Sequence, residues 1–273
     1  EILSLCLHGR IKGKVIIKDI QKSSGVLAID APLILKKGSS SRLCDIILAK
    51  KPFSSSKAGC KPRNASDDFF KRQFGRSRGR DLAKKLLGIY SFPAGARRDV
   101  PLQGIGANLK KGERILLEVH PRSTLVCLFP KYLHRFPNYK GKGSDRETWW
   151  KEIRKVRDDL LTLLKKDALF DTIVKSPLSV KLMKTNLKKI KNLKNYEDLL
   201  DGFISFLTAY IFAKGEATIV GDNMDGFIAL PNTNVLEGLI DDFVKSLASE
   251  GALSRGIKNW YAKNRELYGF ISL

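Results

Sequence analysis

Two short stretches constrain the fold of this chain more than any others. Val26-Leu-Ala-Ile29 and Ile115-Leu-Leu-Glu-Val119 are unbroken apolar runs in which polar residues do not alternate with apolar ones. Such a run fits a strand buried on both faces, as in a sheet packed between layers of helices. Each is cut off by a proline, at Asp30-Ala-Pro32 and at His120-Pro121. Helical patterns separate and follow the two runs, so the expected class is α/β, a mixed sheet flanked by helices.

Both strands carry an acid near the carboxyl end, where ligands gather in open α/β sheets. Asp30 ends the first run. It is either a ligand projecting from the sheet or a loop aspartate capping a turn before Pro32. Glu118 lies among aliphatic residues, where an unpaired carboxylate costs several kcal/mol. Its partner is either a metal ion or one of the many arginines. A third acidic feature opens the most apolar helical segment, Tyr196 to Ala213, which is bounded by Asn195 and closed by Gly215. Asp198 and Asp201 are three apart and share one face of that helix. With Asn195 as N-cap, Asp198 falls at N3 and capping accounts for it, whereas Asp201 lies past the first turn and is the stronger ligand candidate. Acids converging from two strands and a late helix could hold two divalent cations for phosphodiester chemistry. His120, two residues after Glu118, is an auxiliary candidate as ligand, proton shuttle or phosphate donor, with a satisfied loop histidine as the plainer reading.

The acids are conspicuous because the chain is so basic: 50 Lys and Arg against 28 Asp and Glu, a formal charge of +22. A positive field of that size attracts polyanions or anionic surfaces. The densest cluster, Lys71-Arg72-Gln-Phe-Gly-Arg76-Ser-Arg78-Gly-Arg80, has Phe69, Phe70 and Phe74 interleaved. Charge with aromatics suits a surface that neutralises phosphates and stacks bases, and equally suits a solvated loop. The helices from Lys151 to Lys194 present a lysine face around a core stripe of Trp149, Ile153, Val156, Leu160, Leu161 and Leu164.

No apolar run approaches the ~20 residues that span a bilayer. The four cysteines, Cys6, Cys44, Cys60 and Cys127, form no zinc-type pair and no disulfide framework. A cytoplasmic protein without membrane attachment is therefore expected. The chain opens on Glu1 and shows no signal-peptide pattern, which fits a start inside a longer protein. No nucleophile elbow, Walker loop or Ser-His-Asp pattern is present.

Along the chain, Ile2 to Leu7 reads as a strand and Lys14 to Ile20 as weakly helical. Residues 50–80 form a basic, loop-rich insertion, with a short helix near Cys44 to Ala49 before it and another from Asp81 to Leu87 after it, closed by Gly88. Phe227 to Pro231 reads as a short edge strand or lid segment. Residues 1–232 make one domain, and 233–273 a C-terminal extension of two amphipathic helices, carrying Leu236 to Leu247 and then Trp260 to Leu267.

In order along the chain stand Val26-Leu-Ala-Ile-Asp-Ala-Pro-Leu33, Arg42-Leu-Cys-Asp45, Gly88-Ile-Tyr-Ser-Phe-Pro93, Glu118-Val-His-Pro121, Tyr196-Glu-Asp-Leu-Leu-Asp-Gly202 with Thr208-Ala209, and Asp225-Gly-Phe-Ile-Ala-Leu-Pro231. This series resembles the DUF429 family, regarded as predicted nucleases of the ribonuclease-H-like fold, over roughly residues 20 to 232. The resemblance implies Asp30 on the fourth strand, Glu118 on the fifth, and Asp198 and Asp201 on the closing helix as an acidic metal site for Mg²⁺ or Mn²⁺. The paired acids are also similar to those of Holliday-junction resolvases. Arg42, Asp45 and Arg146 match further polar positions of the family. Arg42 and Arg146 join Lys71, Arg72, Arg76, Arg78 and Arg80 as candidate nucleic-acid contacts, and Asp45 joins His120 as auxiliary. The family's opening strand, with its Gly-Ile-Asp acid, has no counterpart here, because Leu3 to Leu7 contains no acid and is closer to the third strand. The leading expectation is a metal-dependent nuclease. A non-catalytic nucleic-acid-binding module of the same fold is the alternative, motivated by that missing acid. A phosphoryl-transfer enzyme is third, since sugar kinases use two copies of a related sheet and this chain has room for one.

Overall fold

The computed structural model describes residues 3–4, 25–35, 42–49, 68, 72, 75, 78–92, 113–141, 143–166, 168–175, 177–184, 192–222 and 226–233, with isolated positions at 238, 241–242, 245 and 249. Strands β1 (Leu3–Ser4), β2 (Gly25–Ile29) and β3 (Arg114–Glu118) form a parallel sheet in that order. Gly25 pairs with Arg114 and Ile29 with Glu118, while Leu3 pairs with Leu27. Helix α1 spans Leu43–Ala49 and α2 spans Arg78–Leu86. Beyond β3 come α3 (Pro121–Leu128), a 3-10 turn at Pro130–Leu133, and α4 (Arg146–Lys166). A second 3-10 turn, Ala168–Phe170, leads to α5 (Asp171–Val174), α6 (Pro177–Lys184) and α7 (Leu193–Ala213). An antiparallel hairpin, β4 (Ala217–Asp222) and β5 (Gly226–Pro231), completes the described chain.

The two apolar runs are strands for the reason their composition suggests: both faces are covered. Val26 and Ala28 of β2, with Ile115 and Leu117 of β3, pack against Ala209 and Phe212 of α7 and against the hairpin. Leu27, Ile29 and Leu116, pointing the other way, pack against Ala83 and Leu86 of α2 and against Tyr90. Period-two alternation thus separates two apolar layers instead of one apolar and one wet face. A larger core joins α1, α3, α4, α6 and α7, with Ile153, Val156, Leu160 and Leu164 contributed by α4 as their spacing anticipates.

Several boundaries differ from the sequence expectations. Helix α7 begins at Leu193 and is capped by Asn192, whose side-chain oxygen accepts from the Lys194 N–H at 3.0 Å. Asn195 therefore lies inside the helix, and Asp198 is too far along it to cap anything. Its C-terminal glycine, Gly215, takes the left-handed conformation at φ +82° as expected. Residues 227–231 form no lid or edge: all six residues of β5 are buried, paired on one side with β4 and bridged through Ala229 to Val119. Strand β4 itself was not anticipated, because Ala217 to Asp222 is short and its Gly221 reads as a breaker. The region from Lys14 to Ile20 and the second C-terminal helix lie outside the described residues, as does most of the first C-terminal helix and of the 50–80 insertion. Among the described residues no helix is long and apolar enough to cross a membrane.

Candidate functional site

The carboxyl ends of β2 and β3 face the start of α7 and the segment between α3 and α4. Strand parity sends the acids of the two strands to opposite sides. Asp30 continues the parity of Val26 and Ala28, toward α7. Glu118 shares the parity of Leu116, toward the α2 side. Two charged groups result, one interior and one at the sheet end.

The interior group is built on Arg42. Its guanidinium is 1% exposed. Nε and Nη2 donate to the two oxygens of Asp45, each at 2.9 Å. Nη2 and Nη1 donate to Glu118 Oε1 and Oε2 at 2.7 and 2.8 Å, and Nη1 also reaches the Ile34 carbonyl at 3.0 Å. The Leu33 N–H donates to Glu118 Oε2 at 2.8 Å. Burial still pushes the Glu118 carboxyl upward, against the lowering pull of Arg42. Gly226 makes room for this arginine: a Cβ there would lie 2.6 Å from Arg42 Cδ. The arginine partner weighed for Glu118 is thus the one in place. Arg42, anticipated as a nucleic-acid contact, is placed in the interior with its donors committed to carboxylates. Asp45 is placed there with it.

The second group surrounds Asp201, which is fully buried on α7. Its stripe continues through Ser205, Thr208 and Phe212, one helix turn after another, along the face toward the sheet. Tyr139 Oη donates to Asp201 Oδ1 at 2.7 Å, and Lys140 Nζ donates to Oδ2 at 2.8 Å. Burial, with the Asp201 charge beside it, pushes the Asp30 carboxyl up to about 7, and Lys140 opposes the shift. Asp30, Asp201 and Lys140 are therefore neighbours, drawn from a strand end, a helix and a loop. Burial lowers the Lys140 affinity for its proton, but Asp201 and then Asp30 outweigh it and hold the ammonium charged. His120, the residue before α3, places Nδ1 2.7 Å from Ser123 Oγ. Burial and then the positive charge of Lys140 lower its pKa to about 3, so the ring is neutral at physiological pH.

The remaining acids of α7 sit nearer its start. Lys194 reaches Asp198 at 3.0 Å and Glu197 at 2.5 Å. Tyr139, Lys140, Glu197 and Lys194 were not singled out from the sequence. No local signal marks a single lysine in a chain with 50 basic residues; only the packing of its loop selects Lys140. Of the basic candidates, Arg72 is exposed and its Nε donates to the Asp68 carbonyl at 3.3 Å. Arg146 is exposed at the first residue of α4, and Arg80 is half-buried on α2. Lys71 and Arg76 lie outside the described residues, as does the Arg78 side chain. The α2 start, however, abuts the loop after Asp30, since a Cβ on Gly79 would lie 2.4 Å from the Pro32 carbonyl oxygen. The end of the basic cluster is thereby anchored beside the sheet end.

The residues fit one hard divalent cation, and not the pair suggested by the spacing of the acids. Among the described residues no group of three or more His, Cys, Asp or Glu side chains gathers as ligands. Glu118, wholly engaged by Arg42 and Leu33, has no oxygen lone pairs directed at Asp30. Mg²⁺, though, is commonly held by one or two carboxylates, with waters and substrate phosphate completing its octahedron. Asp30 and Asp201 supply that minimum, and the raised Asp30 carboxyl marks negative charge that Lys140 leaves uncompensated.

That raised carboxyl sets a pH dependence. The folded state holds the Asp30 proton up to about 7, whereas the unfolded chain releases it near 3.8. Folding stability from this group is thus full below pH 3.8 and falls as pH rises toward 7. Asp30→Asn is expected to be more stable than wild type at pH 8, with a flatter dependence between pH 5 and pH 7. Urea unfolding at those three pH values measures it, and equal slopes would show that Asp30 is solvated.

Comparison with curated proteins gave no match, and comparison with solved structures gave none. A family model described as "Protein of unknown function (DUF429)" matches residues 13–225, a span that takes in β2, the Arg42 group, β3 and the Asp201 helix. The chain belongs to the DUF429 family.

Proposed function

We propose that the protein is a metal-dependent hydrolase of nucleic-acid phosphodiester bonds, built on a ribonuclease-H-like sheet. One observation carries the reading: Asp30 and Asp201 meet at the carboxyl end of a parallel sheet, beside the anchored start of the basic helix α2. Asp30 and Asp201 would hold Mg²⁺ or Mn²⁺, with Asp198 one helical turn away on the approach side. Bound there, the cation would supply a polarised water and stabilise charge on the phosphate oxygens. Lys140 and the cations of α2 position the phosphate backbone, while Tyr139 fixes the Asp201 carboxylate. The neutral His120 ring, steadied by Ser123, suits a hydrogen bond to phosphate better than a charge contact.

A specific observation favours a second reading. Glu118 is tied to Arg42, leaving two strand-end and helix acids where the acid spacing suggested four. A non-catalytic nucleic-acid binder of the same fold would look the same. A panel of labelled single- and double-stranded DNA and RNA, incubated with Mg²⁺, Mn²⁺ or EDTA, decides between them. Products that need metal are expected. Binding that weakens steeply with salt, without any product, would support the binder.

A further inference from the structure

The loop that carries Lys140 is clamped on three sides. Trp149 Nε1 donates to the Tyr139 carbonyl at 2.7 Å, and Glu152 Oε2 accepts from the Asn138 N–H at 3.2 Å. Asn138 Nδ2 donates to Ser144 Oγ at 2.9 Å. Gly141 follows at φ +61°, where a Cβ would lie 2.3 Å from the Trp149 ring. The backbone at Lys140 is therefore fixed against α4, and its side chain has one nearby anionic target. Adjacent residues divide that target: Tyr139 takes one oxygen of Asp201 and Lys140 the other. Asp201 itself has no solvent exposure, yet the Lys140 side chain is 32% exposed. The ammonium is consequently the outermost member of the group, standing between the buried carboxylate and water.

From this arrangement we propose that Lys140 is a built-in counter-ion that competes with a divalent cation for Asp201, and that metal binding turns its ammonium outward toward substrate phosphate. The inference rests on the metal-site reading given above and adds a regulator of that site. Its physical basis is a conflict of positions. A Mg²⁺ ion on Asp201 Oδ2 sits about 2.1 Å away. Lys140 Nζ is 2.8 Å from the same oxygen. The two cations could then be no more than about 5 Å apart, in a region shielded from water. The flexible four-carbon stem resolves the conflict, because it is the mobile partner while Asp201 is held by its helix and by Tyr139. The exchange conserves charge sensibly. The ammonium compensates one acid when the metal is away, and the doubly charged ion compensates both Asp30 and Asp201. The released ammonium then lies at the mouth of the site, where a polyanion arrives.

Two measurements test this. In the first, Mn²⁺ binding is followed by electron paramagnetic resonance for the wild type, Lys140→Met and Lys140→Gln. Removing the competitor is expected to tighten Mn²⁺ at least about tenfold in both variants. Unchanged or weaker binding, or no Mn²⁺ binding at millimolar concentration, overturns the proposal. The second uses the wild type alone, so folding of a variant is not at issue. Acetylation of Lys140 by acetic anhydride, located by peptide mass spectrometry, is expected to rise several-fold when Mn²⁺ is added. A rate independent of Mn²⁺ overturns it. Neither readout depends on cleavage. Tighter Mn²⁺ binding by the variants without any nucleic-acid product would sink the nuclease reading and leave the exchange standing. Metal-dependent cleavage with identical Mn²⁺ affinities would do the reverse.

Discussion

Arg42→Met is expected to destabilise the protein by about 3–5 kcal/mol, the usual loss when one member of a buried ion pair is removed. The reason is what it leaves behind. Arg42 engages both oxygens of Asp45 and both of Glu118, all within the interior. Deleting the guanidinium strands two carboxylates with one remaining partner, the Leu33 N–H. Against a typical total stability of about 5–15 kcal/mol, such a loss unfolds much of the population at moderate temperature. Lysine in its place keeps the charge but lacks the planar fork that serves two carboxylates at once, so Arg42→Lys should recover little. Combining Arg42→Met with Asp45→Leu and Glu118→Leu removes the stranded charges and should restore a substantial share. Urea unfolding followed by circular dichroism reads all of these. A wild-type midpoint in Arg42→Met would place the side chain at the surface.

The second large effect separates the two acidic groups. In Asp201→Asn, metal-dependent cleavage is expected to fall by about a hundredfold or more, since even removing a supporting residue around a metal costs 10- to 100-fold. The fold should survive, because asparagine still accepts from Tyr139 Oη at the same oxygen position. Glu118→Gln should behave oppositely. It leaves Arg42 with one full carboxylate partner and lowers stability, while the cleavage rate per folded molecule stays within a few-fold of wild type. Parallel measurement of initial rates and of the folded fraction distinguishes these outcomes. Equal rate losses with equal stabilities in the two variants would mean that Glu118 reaches the reacting phosphate after all.

The parts of the fold that local chemistry dictates were readable from the residues. Val26 to Ile29 and Ile115 to Val119 are strands because nothing in them can face water, and α4 follows the three- and four-residue spacing of Ile153, Val156 and Leu160. The ends of elements were less so. Asn192 and Asn195 are equally good caps in isolation, and only the seating of Leu193 in the core selects the first. Among the site residues, Asp30 and Asp201 were legible because a carboxylate in an apolar setting demands a partner. Which partner was not legible: Glu118 satisfies the same rule through Arg42, seventy-six positions away. Lys140 was invisible for a different reason. Its importance comes from a loop held by Trp149 and Glu152, and no composition of that loop announces where its ammonium ends.

The same clamp has an optical consequence. Trp149 hydrogen-bonds through its indole nitrogen to the residue before Lys140, and its ring lies flat against the glycine after it. Indole emission shifts with the strength of that bond and with nearby charge. The protein thus carries its own chromophore one peptide unit from the ammonium. Any ligand that moves Lys140 changes the electric field at the ring, so occupancy can be followed by fluorescence without attaching a dye.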